Sequence, residues 1–402
     1  MPEKPGNGGH GLESYDPKTG RYVESSGSGE NLDRVVNEQR KAENIFGLNF
    51  KTDNNDFYGN LDRSNVDNTF KQETVLSDNH IVEYPSFRVN NDTGEITFDN
   101  PAEIEKYLKD VCEQIAWKNL IKFSGKNEFE VELCGEKRIL RSPQDLYKYY
   151  KDFSEEVHNK NVMHADDPNW VLPNNLSYEE KKDRVLQKLG LSSTEELFDK
   201  YNQLADNIYR AGDNAKQERK VIITTGLPAS GKSLTGSHNE LLAGLEIDSD
   251  MAKKMFPEYM NDRTMVSVVH SYSSAIRDLV MEEALKQGYN ISVTTIGMKG
   301  VMDYFMKLFN DNGYDAQIAN ISIPFEQNIS RSIYRLVQTG RLTTFEVIAK
   351  NLGSQLKNVK DIIEDFKLNG KHSGISGYAF IDNTNKPVIT ESGGFAYDSI
   401  IK

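Results

Sequence analysis

Residues 220–233 read KVIITTGLPASGKS. A β-branched run, Val221 to Thr225, ends at a glycine, and the next eight residues fit G-x-x-x-x-G-K-[ST]. In such a loop the glycines let the backbone close round phosphate oxygens, so that successive N–H groups form an anion nest. The helix that follows adds the positive end of its dipole. The expected contact set is Gly226, Leu227, Pro228, Ala229, Ser230, Gly231, Lys232, Ser233 and Leu234. Within it Lys232 bridges β- and γ-phosphates, and Ser233 ligates Mg²⁺. A chance glycine-rich turn is the competing reading. The strand before the loop and the helix after it argue against that.

Downstream, the pattern alternates. A short strand ends in Leu245-Glu246-Ile247, a long helix covers about 262–287, and ISVTTI at 291–296 is the next strand. A helix at about 298–311, a strand AQIANISI at 316–323 and helices at 324–338 and 344–366 follow. YAFID and PVIT close the chain as a hairpin. Strands alternating with helices predict an α/β fold whose central parallel sheet is flanked by helices.

Two carboxylates, Asp248 and Asp250, follow the second strand and so fall at the carboxyl edge of the sheet, where open α/β folds bind ligands. One can hold Mg²⁺ through water while the other takes a proton from an acceptor hydroxyl. The plain alternative is that one of them caps the helix that begins there. Arg331 and Arg335 share a helix face, and Arg341 follows Gly340. Guanidinium forks at such positions neutralise the charge of phosphoryl transfer. Arg335 and Arg341 are assigned that part; Arg331 is expected on a solvated face.

These residues make the C-terminal part resemble the zeta-toxin family of P-loop kinases. The loop matches, as do Ile247-Asp248-Ser249-Asp250 with Met255-Phe256-Pro257-Glu258-Tyr259, Gln287-Gly288-Tyr289-Asn290, Arg335 and Arg341-Leu342-Thr343. The resemblance implies ATP- or GTP-dependent phosphorylation of a sugar hydroxyl on UDP-N-acetylglucosamine, which blocks cell-wall synthesis. It implies Asp250 as general base and metal ligand, Lys232 as the phosphate lysine, and Arg335 and Arg341 as lid arginines. Asp248, Asp278 and Thr294 fall among the substrate-binding positions. The sequence departs from the family at one strand end: Thr294-Thr295-Ile296 stands where the family has Glu-Gly-Thr, and Asp278 stands for a Glu. The resemblance covers about 170 of the 402 residues.

The first half is read more coarsely. Residues 1–35 are rich in Gly, Ser and Pro and are expected to be a disordered tail, with a small turn within 13–23. Residues 36–155 are expected to form a small α+β domain, 156–215 a helical connector and 216–402 the kinase-type domain. Within the α+β unit, hairpins are expected at 86–98 and at 129–142 (FEVEL and KRILRS). A helix opens at Pro101 with the stripe Ile104, Leu108, Val111, Ile115, Ala116, and another opens at Ser142 and runs through Tyr150. A loop is expected at 160–175.

The 48 Lys+Arg against 61 Asp+Glu give a net charge of −13, which disfavours a long nucleic acid as the partner. No apolar run is long enough for a membrane span, and no Sec-type leader is visible. A cytoplasmic setting is expected, with export by a route lacking a Sec signal left open. Cys112 and Cys134 make no disulfide framework, and none of the seven His falls in a metal spacing. Cys112 is expected to be a small core residue; His158 and His164 are expected in a polar loop. The partner expected from the motifs is a small molecule with a hydroxyl acceptor, while an antitoxin or docking partner remains open for the first half. The alternative functions are a nucleotide or polynucleotide kinase, and a nucleotide-dependent protein-binding module without turnover.

Overall fold

The computed structural model describes residues 14–16, 21–23, 81–84, 87–90, 96–98, 101–173, 176–209, 215–232, 244–370, 374–384 and 387–396. The expected tail at 1–35 lies outside these residues apart from β1 (Ser14–Asp16) and β2 (Arg21–Val23), which pair antiparallel as the expected turn requires. Strands β3 (Ile81–Tyr84), β4 (Phe87–Asn90) and β5 (Ile96–Phe98) form an antiparallel sheet with Val89 opposite Ile96.

Helix α1 (Pro101–Val111) passes through one π-helical turn, Cys112–Ala116, into α2 (Trp117–Ser124). The stripe Ile104, Leu108, Val111, Ile115 and Ala116 is buried throughout, and Cys112 sits among it. The hairpin β6 (Phe129–Leu133) and β7 (Glu136–Leu140) buries alternate residues of its first strand. Helix α3 (Pro143–His164) starts at the Ser142 cap, whose side chain accepts the Asp145 N–H. It runs well past Tyr150 because Phe153, Val157 and Asn161 continue its buried stripe. The expected loop therefore begins only at Ala165, and His158 and His164 are helical. Helix α4 (Tyr178–Leu189) is opened by a Ser177–Glu180 capping box and closed by Gly190, and α5 (Thr194–Tyr209) follows.

A six-stranded sheet forms the rest. Its members are β8 (Lys220–Thr225), β9 (Leu245–Ile247), β10 (Ile291–Thr295), β11 (Asp315–Ser322), β12 (Gly377–Asp382) and β13 (Val388–Gly393). The strand order is β13-β12-β11-β8-β10-β9, parallel except for β13, which closes the edge as the expected hairpin with β12. The intervening helices are α6 (Ser249–Lys253), α7 (Pro257–Asn261), α8 (His270–Gln287), α9 (Lys299–Asp311), α10 (Phe325–Thr339) and α11 (Phe345–Asn369). The expected single helix over 262–287 is divided. Asp262 caps a 3₁₀ turn, Arg263–Val266, before α8 begins.

β8 is central, so its apolar residues are covered on both faces and its C-terminal end opens onto the sheet's carboxyl edge. The layer of α1 to α5 shares one continuous core with this sheet. Leu146, Tyr150, Phe153, Leu197 and Tyr201 join Val221, Ile247 and Ile276. At the junction Phe345 of α11 meets the rings of Tyr107 and Phe325 edge-on at 6.0 and 5.8 Å. Among the described residues no helix is long and apolar enough to cross a membrane.

Phe345 is fully buried between helices of both layers. Phe345→Ala is expected to cost about 3–5 kcal/mol, read as a lowered urea midpoint. A loss below about 1 kcal/mol would show that the junction is not packed as described.

Candidate phosphate-binding site

The loop after β8 is shaped by backbone that side chains hold from outside. Gly226 and Gly231 have φ of +147° and +94°, and Ala229 also lies in the left-handed region at +62°. A Cβ on Gly226 would run into the Ile321 carbonyl of β11, and one on Gly231 into the Asn383 amide. Asn328 Nδ2 donates to Pro228 O at 3.0 Å, and Asn383 Nδ2 donates to Ser230 O at 2.9 Å. Arg331 joins them, with Nη1 on Ser230 O at 3.1 Å and Nη2 on Asn383 O at 2.8 Å. A peptide is planar and trans, so a carbonyl drawn outward turns the following N–H the other way. The N–H groups of Ala229 and Gly231 are therefore set opposite the carbonyls of Pro228 and Ser230, the arrangement of an anion nest.

This corrects the expectation for Arg331. It is not on a solvated face but 3% exposed, committed to the loop carbonyls. The guanidinium gives one donor to Ser230 O, beside the Asn383 amide, and one to Asn383 O, so it ties the loop to the residue after β12.

Lys232 is buried, and its Nζ donates to Gly226 O at 2.7 Å and Leu227 O at 2.9 Å. Burial lowers its pKa to about 7; the carboxylate of Asp248 opposes that shift and the guanidinium of Arg335 adds to it. Asp248 and Arg335 thus lie within charge reach of the ammonium. Ser233 and Leu234 lie outside the described residues.

Asp248, at the end of β9, is the cap of α6: its Oδ1 accepts the Asp250 N–H at 2.9 Å. Of the two carboxylates, this one performs the capping. Asp250 stands in the first turn. Its Oδ1 takes a bond from Lys253 Nζ at 3.0 Å, and its Oδ2 lies 3.7 Å from Arg341 Nη2. Lys253 is wholly buried. Arg335 Nη2 donates to Thr343 Oγ1 at 2.8 Å, while the Thr343 N–H donates to Ser332 Oγ at 2.8 Å. These bonds tie the segment carrying Arg341 to α10. The guanidinium of Arg341 is buried, and its Nε and Nη2 have no hydrogen-bond partner among the described residues.

The structure therefore brings Lys232, Asp248, Asp250, Arg335 and Arg341 into one linked set. Asp278 stands further along α8, its Oδ1 accepting both Nε and Nη2 of Arg277 at 2.9 and 2.7 Å. Burial works to lower the Arg277 pKa, but Asp278 beside it, with smaller contributions from Tyr304 and Asp248, holds it above the ordinary value. Thr294 is half-buried on β10, in register with Thr224 of β8. Among the described residues no group of three or more His, Cys, Asp or Glu is arranged to hold a metal.

Asn328, Lys253 and Asn383 were not anticipated. Asn328 lies three residues before Arg331 and Lys253 three after Asp250, so helical spacing could have exposed both. Asn383 follows β12 and is brought to the loop only by the pairing of β12 with β11.

The lowered pKa of Lys232 gives a signed expectation. Between pH 7 and about 10 the unfolded chain, with a lysine pKa near 10.4, binds more protons than the folded one. Stability conferred through this group should rise with pH across that window. Lys232→Met should flatten the rise, as measured by urea unfolding of the full chain at pH 7, 8 and 9. Identical slopes for both proteins would contradict the buried position of the ammonium.

The family model described as zeta toxin matches residues 206–385. No curated protein matches the chain. A structure of the PezAT toxin–antitoxin system of Streptococcus pneumoniae is similar at 14% identity and a TM-score of 0.38, over 52% of this chain and 87% of that one. A structure of AvrRxo1-ORF1:-ORF2 with ATP is similar at 15% identity and a TM-score of 0.39, over 57% and 78%. The native complex of the same pair gives 14% and 0.40, over 56% and 76%. Residues 206–385 of this chain form a zeta toxin domain.

Proposed function

We propose that the C-terminal domain, residues 216–402, is an ATP- or GTP-dependent phosphotransferase that phosphorylates a hydroxyl of a small molecule, and that the protein acts as a toxin or effector. The observation that carries this reading is the buried Arg341 guanidinium, with two nitrogens lacking hydrogen-bond partners among the described residues, 3.7 Å from Asp250. A buried cation of that kind is costly unless an anion completes it. The phosphate loop supplies the rest of the anion site.

In this reading the loop amides and Lys232 hold the β- and γ-phosphates of the triphosphate. Lys232 leaves the carbonyls of Gly226 and Leu227 to do so. The acceptor oxygen bonds to the γ-phosphorus, the bond to the β–γ bridging oxygen breaks, and the nucleoside diphosphate departs. The acceptor's proton goes to Asp250. Lys253 fixes Oδ1 of that carboxylate, so Oδ2 is the oxygen that takes the proton. Arg335 and Arg341 neutralise charge on the transferring group. Mg²⁺, when bound, spreads the negative charge of the phosphate oxygens. Ser233 and Asp250, a hydroxyl and a carboxylate, are oxygen donors of the kind it prefers. We assign Asp248, Asp278 and Thr294 to the acceptor, for which a nucleotide-sugar such as UDP-N-acetylglucosamine is the class the family suggests. An antitoxin is the partner class that goes with a toxin. Residues 36–155 and 156–215 are taken as the units that precede the transferase.

The test uses the purified full chain, γ-labelled ATP or GTP, Mg²⁺ and a bacterial metabolite extract. Label should move to a small molecule, and Lys232→Ala should abolish the transfer. Asp250→Asn should lower it by about 10²–10⁴-fold while the affinity for a nonhydrolysable ATP analogue changes only a few-fold. Expression of the full chain should slow bacterial growth, and Lys232→Ala should relieve that. Absence of transfer from both nucleotides, or full transfer by the Asn variant, would overturn the proposal.

A further inference from the structure

We infer that Tyr201 and Tyr150, two phenols from helices that precede the family-matched segment, are positioning residues for the Asp250–Arg341 pair. The inference rests on the phosphotransferase reading above. Tyr201 belongs to α5 and Tyr150 to α3, whereas the family match begins at residue 206.

β9 is only three residues long and lies at the sheet's edge, paired to β10 alone. An edge strand presents backbone groups that the sheet does not satisfy. Tyr201 meets them with one hydroxyl. Its Oη accepts the Asp248 N–H at 2.8 Å and lies 3.2 Å from the carbonyls of Glu246 and Asp248, which share its single proton. The side chain is completely buried, and burial keeps the phenol neutral by raising its pKa well above the ordinary value. Asp248 then passes the constraint on, because its carboxylate caps α6 through the Asp250 N–H. Tyr201 thereby fixes where Asp250 stands.

Tyr150 acts on the other partner. Thr344 precedes α11 without a side-chain cap. The N–H of Phe345, the first helical residue, donates instead to Tyr150 Oη at 3.1 Å. This anchors the chain directly after Arg341–Thr344. One phenol holds the carboxylate's turn and the other holds the arginine's segment, so the helical layer is part of the site and not merely its neighbour. The residues that do this were invisible to family resemblance because they lie outside it.

The experiment compares the full chain with Tyr201→Phe and Tyr150→Phe. Each removes one oxygen and keeps the ring that packs. Tyr201→Phe is expected to lower kcat roughly 10-fold, the scale of one buried hydrogen bond, while KM for ATP moves less than about 3-fold. Amide exchange should quicken at 246–253 and not in β10 or β11. Tyr150→Phe should quicken exchange at 341–348 instead, with a similar split between kcat and KM. In an Asp250→Asn background, Tyr201→Phe should add no further loss, because it acts through that carboxylate. An unchanged kcat, a full further loss in the double variant, or faster exchange throughout the sheet would each overturn the assignment as positioning residues. If the unaltered chain transfers no phosphate, the proposed function fails. The exchange pattern still decides for or against these two anchors.

Discussion

A buried guanidinium cannot shed its charge, and that constraint orders the whole site. Lys232 is also buried, but an ammonium can lose its proton, and its pKa falls to about 7. Arg341 has no such outlet. It sits 7% exposed against a carboxylate 3.7 Å away, too long for a direct hydrogen bond. Lys232, Arg335 and Arg341 are all buried, so this cationic character is enclosed, in a chain whose net charge is −13. Under the proposed function such an enclosed site suits a compact anion, whereas a polyanionic strand needs a long exposed basic face.

The rest of the scaffold can be followed from one helix. Along α10, Asn328 and Arg331 face the phosphate loop, whereas Ser332 and Arg335 face Thr343 beside Arg341. The spacings i, i+3, i+4 and i+7 put all four on one stripe. The helix is therefore a rod connecting the loop after β8 to the segment that carries the arginine. A shift of α10 would move both together, which keeps their separation fixed.

That same stripe explains what the sequence withheld. An amphipathic helix normally turns its polar face to water, and Asn328, Arg331, Ser332 and Arg335 look like such a face. Here they are buried, because their partners are backbone carbonyls and a threonine that only the tertiary fold supplies. For this reason Arg331 departs from the solvated face expected of it. The glycine turn as far as Lys232, the order of the described strands and helices from β8 to β13, and the aspartates after β9 are legible, since each depends on residues close together in sequence. The expected end of α3 at Tyr150 falls too early, since Phe153 and Val157 carry the apolar period onward. Tyr201 had no signal at all. Its partners lie more than forty residues downstream, and a tyrosine on an apolar helix face reads as core, which its ring is.

The two ends of the site are built from different materials. The phosphate end is made of backbone, with amides turned by Gly226, Ala229 and Gly231 and carbonyls pinned by Asn328, Arg331 and Asn383. Such an end keeps its geometry only if many residues agree, so it resists change. Asp278 and Thr294, which the proposed function assigns to the acceptor, are side chains on α8 and near the end of β10. Asp278 already receives two donors from Arg277. Such groups can be exchanged without disturbing the sheet below them, because each contributes one or two bonds and no backbone geometry. The stretch Thr294-Thr295-Ile296 departs from the family pattern at that end and not at the other. Under the proposed function, the groups that hold the triphosphate and those assigned to the acceptor are thus physically separable in this fold.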